Sequence, residues 1–151
     1  MLQEGNRAPD IRVHTDTGEE FRLSDLKGKR VVLYFYPKAD TPGCTTEACE
    51  FRDDLRGFAK KGVSVVGISP DKPAAQATFK QKYQLPFTLL ADEDKTAANA
   101  YGVWKEKNMY GKKVMGIART TFVIGPNGMI EKIYSNVKAK GHAAQVLADL
   151  G

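Results

Sequence analysis

Long apolar runs are missing from this chain, and cysteine and histidine are scarce. No stretch of its 151 residues approaches the length of a membrane-spanning helix, and Met1-Leu2-Gln3-Glu4-Gly5-Asn6-Arg7-Ala8-Pro9-Asp10 lacks the apolar core of a signal peptide. A cytoplasmic protein is the expectation. The two cysteines, Cys44 and Cys49, are then poor candidates for a permanent staple and better ones for catalysis, redox chemistry or inert burial. The two histidines, His14 and His142, lie near opposite ends of the chain and read as surface residues. With the cysteines they offer none of the paired short spacings of structural zinc sites, so no metal is expected. Also missing are a phosphate-cradling glycine loop, a haem attachment signal, a serine-nucleophile elbow, internal repeats and low-complexity blocks.

The rest of the composition is that of an ordinary globular protein, 42% hydrophobic and 27% charged, and the length suits one domain over residues 1–151. A net charge of +5 raises the question of a nucleic-acid partner. Acids interrupt the bases, as in Glu50-Phe51-Arg52-Asp53-Asp54-Leu55-Arg56. The densest basic stretch, Trp104 to Lys113, interleaves aromatics with lysine as single-strand binders do, but no recognised binding motif accompanies it. A solvated surface without a specific nucleic-acid partner is expected.

Along the chain, Phe21 to Leu26 leads into a turn at Lys27-Gly28-Lys29. Arg30 to Tyr36 and Val63 to Ser69 read as buried strands, with a helix between them ended by Lys61-Gly62. Pro73 opens a helix through Tyr83, Phe87 to Leu90 is a short strand, and Asp94 to Tyr101 a short helix. Thr120–Ile124 and Met129–Tyr134, joined by Gly125-Pro126-Asn127-Gly128, read as a hairpin, and His142 to Leu150 as a last helix. This order predicts an α/β fold, a mixed central sheet with helices on both faces and a site at its strand ends.

Both cysteines fall in Pro37-Lys38-Ala39-Asp40-Thr41-Pro42-Gly43-Cys44-Thr45-Thr46-Glu47-Ala48-Cys49, between the first strong strand and a helix carrying Leu55, Phe58 and Ala59 on one face. Cys44 is thus expected in or beside the first helical turn. There, free N–H groups and the positive end of the helix dipole favour an anion, a recognised way of lowering a cysteine pKa from about 8.5 towards neutrality. In a continuous helix Cys44 and Cys49 would have Cα atoms about 8.6 Å apart and side chains roughly 140° apart around the axis. A disulfide needs less than about 7 Å. The pair bonds only if helix unwinds; the plainer alternative is two core cysteines that never react. An acyl-transfer cysteine would need a histidine base, and His142 could serve only if its helix packed beside the site.

Pro37-x-x-x-Thr41-x-x-Cys44 resembles the active-site signature of the peroxiredoxins, and Thr41-Pro42-Gly43-Cys44-Thr45-Thr46-Glu47-Ala48-Cys49 is similar to their PrxQ, or bacterioferritin-comigratory-protein, branch. Gly5 to Asp10, Leu23 to Lys29 and Arg119 to Ile124 resemble further segments of that family in the same order. The resemblance implies a thioredoxin-like fold. It implies Cys44 as peroxidatic nucleophile, Cys49 as resolving cysteine, and Thr41 as hydrogen-bond partner of thiolate and peroxide. Arg119 would stabilise the thiolate and the leaving oxygen, Pro37 would shield the pocket, and Glu47 would orient Arg119. Each has a plainer reading: Thr41 as helix cap, Pro37 as strand end, Glu47 as complement to the helix dipole, Arg119 as surface residue. The implied substrates are hydrogen peroxide and small alkyl hydroperoxides, with a thioredoxin-type dithiol protein as reductant, a monomeric state, and no metal, haem or flavin. The rival enzyme is a thioredoxin-like dithiol oxidoreductase, whose usual Cys-x-x-Cys is replaced here by Cys-x4-Cys. A non-enzymatic binding module is the rival from another class.

Overall fold

In the computed structural model, which describes residues 2–151, strand β3 (Arg30–Phe35) organises two layers of core. Its residues alternate between the faces of the sheet as the pleat requires. Val31, Leu33 and Phe35 join one apolar cluster, and Val32, Tyr34 and the following Tyr36 join the other. Both faces are covered, which is why the segment reads as an unbroken apolar run.

The first strands, β1 (Arg12–Thr15) and β2 (Glu20–Arg22), lead through a single 3₁₀ turn (Leu23–Leu26) to β3. There follow α1 (Pro42–Lys60), β4 (Val63–Ser69), α2 (Pro73–Tyr83), β5 (Thr88–Ala91) and α3 (Thr96–Ala100). The chain ends with β6 (Trp104–Met109), β7 (Lys112–Ile117), β8 (Thr120–Ile124), β9 (Ile130–Tyr134) and α4 (His142–Asp149). Seven strands form one mixed sheet in the order β2-β1-β5-β4-β3-β8-β9; β3, β4 and β5 run parallel, and β8 runs antiparallel to β3. Phe51 and Phe58 of α1, Phe79 of α2, and Ala143 and Val146 of α4 pack on one face. Ala97 and Ala98 of α3, with Ile11, Leu23 and Tyr101, cover the other. The expected mixed sheet with helices on both faces is what forms.

Four strands were not anticipated. β1 and β2 are four and three residues long, too short for a period to be read. The stretch expected as plain solvated surface, Trp104 to Lys113, lies in a separate two-stranded sheet, β6 paired with β7. Its turn is Tyr110-Gly111, with both residues at positive φ (53° and 78°), the mirror-image geometry that right-twisted hairpins favour. Tyrosine there is unusual, and the strands lack the apolar alternation that marks a half-buried pair.

Candidate active site

The thiol of Cys44 stands where β3 hands over to α1. Beyond Tyr36 and half-buried Pro37 the chain turns sharply, with Asp40 at φ 60°. The loop is tied to α2 and to the turn before it: Asp71 of that turn accepts from the Ala39 N–H (2.8 Å), and Asp40 accepts from Lys82 Nζ (2.9 Å) and Tyr83 OH (2.7 Å) of the helix. Thr41 precedes the helix in extended conformation and Pro42 is its first residue, a position where proline costs no hydrogen bond. The carbonyl of Thr41 accepts the first helical bond, from the Thr45 N–H at 2.8 Å. Cys44 therefore lies in the first turn, as expected, and is 1% exposed.

Arg119 reaches it from the strand next to β3, out of the two-residue link between β7 and β8. Its carbonyl accepts from the Val137 N–H (3.0 Å), which fixes the link. Its guanidinium forks: Nη2 donates to Cys44 Sγ at 3.3 Å, and Nη1 to Glu47 Oε1 at 2.6 Å. Glu47, three residues after Cys44 on the same helix face, is fully buried, and its Oε2 has no partner. Burial pushes the Glu47 carboxyl up to about 7, against the pull of Arg119. Burial works against the charge on Arg119, but Glu47 and Cys44 outweigh it and hold the guanidinium protonated. Arginine suits this place because its planar fork serves two acceptors at once.

Gly43 explains how the guanidinium comes so close. A Cβ there would stand 3.1 Å from Arg119 Nη2, tighter than ordinary contact. Beneath the site, Tyr36 OH donates to Gln76 Oε1 (2.6 Å), and Gln76 Nε2 donates to Ser69 Oγ and the Leu90 carbonyl, both at 2.8 Å. Tyr34 stacks on Phe51 with ring centroids 4.6 Å apart, and its buried hydroxyl has no partner.

A model of the AhpC/TSA family matches residues 5–133. The chain belongs to that family. It is 48% identical over 149 residues to peroxiredoxin Bcp of Bacillus subtilis, covering 99% of this chain and 95% of the relative. To peroxiredoxin Bcp of Escherichia coli K12 it is 44% identical over 146 residues, covering 97% and 94%. The solved structure of the Xanthomonas campestris bacterioferritin comigratory protein, described for its alkyl peroxide reduction activity, superimposes with a TM-score of 0.91 at 38% identity, covering 98% of this chain and 97% of that one. A Xylella fastidiosa PrxQ mutant gives 0.94 at 36% identity, covering 99% and 96%. This chain is thus a peroxiredoxin of the Bcp/PrxQ branch, a peroxidase with the thioredoxin-like fold.

Of the residues singled out in this peroxiredoxin's sequence, Cys44, Arg119 and Glu47 meet directly. Thr41 does not bond the thiol here; its hydroxyl donates to the Lys38 carbonyl at 2.8 Å, and it makes no side-chain cap. Cys49 is half-buried and unbonded, on the same unbroken helix as Cys44. His142 corrects the reading as a surface residue: it is 3% exposed, with Nε2 2.7 Å from Thr121 Oγ1 and its ring set edge-on to Phe51 and Tyr134. Burial, helped by the charge of Arg119, pushes it down to about 4. Although α4 packs on α1, that imidazole bonds Thr121 and not Cys44, which removes the support for an acyl-transfer dyad. Gly43 carries no role in the sequence reading; its place beside the cysteine is the one signal of a close approach. Among the described residues no three Cys, His, Asp or Glu side chains gather as a metal centre would need, and no helix is long and apolar enough to cross a membrane.

Proposed function

We propose that Cys44 is the peroxidatic nucleophile, Cys49 the resolving thiol, and Arg119 the cation that stabilises charge on both sulfur and leaving oxygen. The observation that carries this is the forked guanidinium joining Cys44 Sγ to Glu47 Oε1. The Cys44 thiolate attacks the O–O bond of hydrogen peroxide or a small alkyl hydroperoxide. Sulfur takes one oxygen as sulfenic acid, and the other leaves, with a proton, as water or alcohol. The thiol of Cys49 then attacks the sulfenic sulfur, expelling water and forming a disulfide. A thioredoxin-type dithiol protein returns two electrons by exchange.

Glu47 is the positioning residue for Arg119, and Pro37 shields the pocket from the strand side. Thr41 serves the peroxide once its hydroxyl leaves the Lys38 carbonyl. The second step requires α1 to open, since Cα atoms five residues apart in a helix stand about 8.6 Å from one another against the roughly 7 Å a disulfide tolerates. With both thiols on one helix the cycle needs no second copy, which favours a monomer. A reducing cytoplasm would keep the resting thiols free.

The test is stopped-flow consumption of hydrogen peroxide by the reduced protein at pH 7, beside Cys44→Ser and Cys49→Ser. The wild type should outrun free cysteine by orders of magnitude, and Cys44→Ser should be inert. Cys49→Ser should complete one rapid oxidation and accumulate a sulfenic acid on Cys44. A sulfenic acid trapped on Cys49 would reverse the assignment, and a wild-type rate near that of free cysteine would end it.

A further inference from the structure

Every large hydrophobic side chain left exposed among the described residues belongs to the outer half of one hairpin: Met109, Tyr110, Val114 and Met115. Strands β6 and β7 pair only with each other, and each residue from Asn108 to Met115 is exposed, so the end of the hairpin stands clear of the body. The densest basic stretch runs through the same place, with Lys105, Lys107, Lys112 and Lys113 against a single acid, Glu106. Exposed apolar side chains scattered singly need no explanation; gathered together, they mark a contact surface.

The register sorts these groups by face. Residues opposite one another across an antiparallel pair share a face, and successive residues alternate. Lys105 stands opposite Gly116, Lys107 opposite Val114 and Met109 opposite Lys112. That face therefore carries three lysines, a methionine and a valine, and no carboxylate. The one acid, Glu106, falls on the other face, where Lys113 Nζ approaches it at 3.7 Å. Tyr110 forms the tip at φ 53°, a left-handed conformation that asparagine or glycine enters at less cost, and its fully exposed ring gains no burial in return. Strain without burial points to a purpose outside the fold.

We propose that the β6–β7 hairpin docks this peroxidase on anionic lipid bilayers, with Tyr110 and Met109 entering the headgroup region and Lys105, Lys107 and Lys112 resting against the lipid phosphates. Charge and shape favour this occupant. A projecting two-residue turn is narrow and convex; a folded protein would need an acidic cleft with an apolar floor to receive it, whereas a bilayer yields to any shape. Tyrosine suits the boundary because its ring is apolar and its hydroxyl is polar. Lysine suits it because its stem lies along apolar groups while its ammonium stays in water. Each lysine close to an anionic leaflet strengthens binding by a factor of about five. None of these side chains belongs to the cluster of Cys44, Glu47 and Arg119, so the docking is independent of the peroxide chemistry.

Sedimentation of the full reduced protein with sucrose-loaded vesicles tests this, using phosphatidylcholine alone beside phosphatidylcholine mixed with phosphatidylglycerol. At about 0.1 M salt, where the screening length is about 10 Å, the protein should bind the anionic vesicles and not the neutral ones, and binding should weaken towards about 1 M, where that length is about 3 Å. Lys105→Gln combined with Lys112→Gln should lose about twenty-five-fold in affinity, a factor of about five for each charge. Lys138→Gln combined with Lys140→Gln, which removes the same charge from exposed positions before α4, should leave binding nearly unchanged. Tyr110→Asn relieves the strained turn and should still lose about tenfold, the worth of a partly buried aromatic ring. Hydrogen peroxide consumption in solution should be the same in all of these variants, which shows the fold intact. No binding to anionic vesicles, or an equal loss in the Lys138 and Lys140 pair, would overturn the proposal. So would a loss on lysine replacement with none in Tyr110→Asn, because it would show a surface read by charge alone, as an acidic protein or a nucleic acid reads one. A wild type slow toward peroxide would strike at Cys44 as nucleophile and leave the vesicle result standing.

Discussion

Replacing Glu47 by glutamine removes one ionisable proton site while keeping the shape that Arg119 grips. Glu47 is raised to about 7 from 4.5, a difference of 2.5 pH units, and at 1.36 kcal/mol per unit this is about 3 kcal/mol. Because the folded pKa is the higher one, the folded state holds the extra proton between pH 4.5 and 7. The corresponding stability is fully present below pH 4.5 and is lost as pH rises through 7. His142 works in the opposite sense: lowered to about 4 from 6.5, it contributes stability that is present above pH 6.5 and lost as pH falls through 4. In the wild type these two slopes oppose one another and flatten the curve between them. Glu47→Gln should therefore gain stability on the wild type steadily from pH 4.5 to 7.5, by about 3 kcal/mol across the range, and expose the histidine's slope. Urea unfolding of the reduced proteins at half-unit pH intervals measures the difference directly. A difference that stays constant with pH would refute the reasoning, because it would mean that the 2.6 Å ion pair with Arg119 keeps the carboxylate ionised in spite of its burial.

Two further substitutions separate activity from stability. Gly43→Ala puts a methyl group 3.1 Å from Arg119 Nη2, so the guanidinium must shift by a few tenths of an ångström away from Cys44. The peroxide rate should fall by roughly tenfold, about 1.4 kcal/mol of activation free energy, while the helical alanine leaves stability equal or higher by up to about 1 kcal/mol. An unchanged rate would show that the close approach is unimportant. Tyr34→Phe deletes a buried hydroxyl without a partner, whose burial costs about 1–3 kcal/mol. The melting temperature should rise by about 2–4 °C for each kcal/mol recovered in a chain of this size; a fall would show that the hydroxyl is satisfied in solution.

What could be read from residues alone depended on whether one local signal sufficed. The strand into Tyr36, the helix opened by Pro42 and the turn at Gly125 to Gly128 each carry their own punctuation, and all three form. The Cys44 environment was legible because a helix start needs only a few neighbours. Arg119 and Glu47 are 72 positions apart, and nothing local ties one to the other; only the likeness of motifs in the same order links them at the level of sequence. His142 was misread because its type is ambiguous: burial depends on Thr121, Phe51 and Tyr134, which come from three other elements. The β6–β7 hairpin escaped notice because its apolar residues, such as Met109, Val114 and Met115, stay exposed and follow no alternation, and its turn uses tyrosine where asparagine is usual.

The anchoring of α1 bears on the fate of the enzyme under oxidant load. The loop before the helix is tied to α2 through Asp40 and to the turn before α2 through Asp71, and Phe51, fully buried against Tyr34, pins the helix two residues after Cys49. Any opening that brings the two sulfurs together is thus confined to the short stretch between these fixed points. On the proposed cycle Cys49 then meets the sulfenic acid at the high effective concentration of a short tether. A second peroxide molecule must win a race against a partner that cannot diffuse away. Irreversible conversion of Cys44 to the sulfinic acid becomes a matter of peroxide abundance, and an enzyme built this way withstands oxidant in proportion to how quickly one short helical segment can come undone.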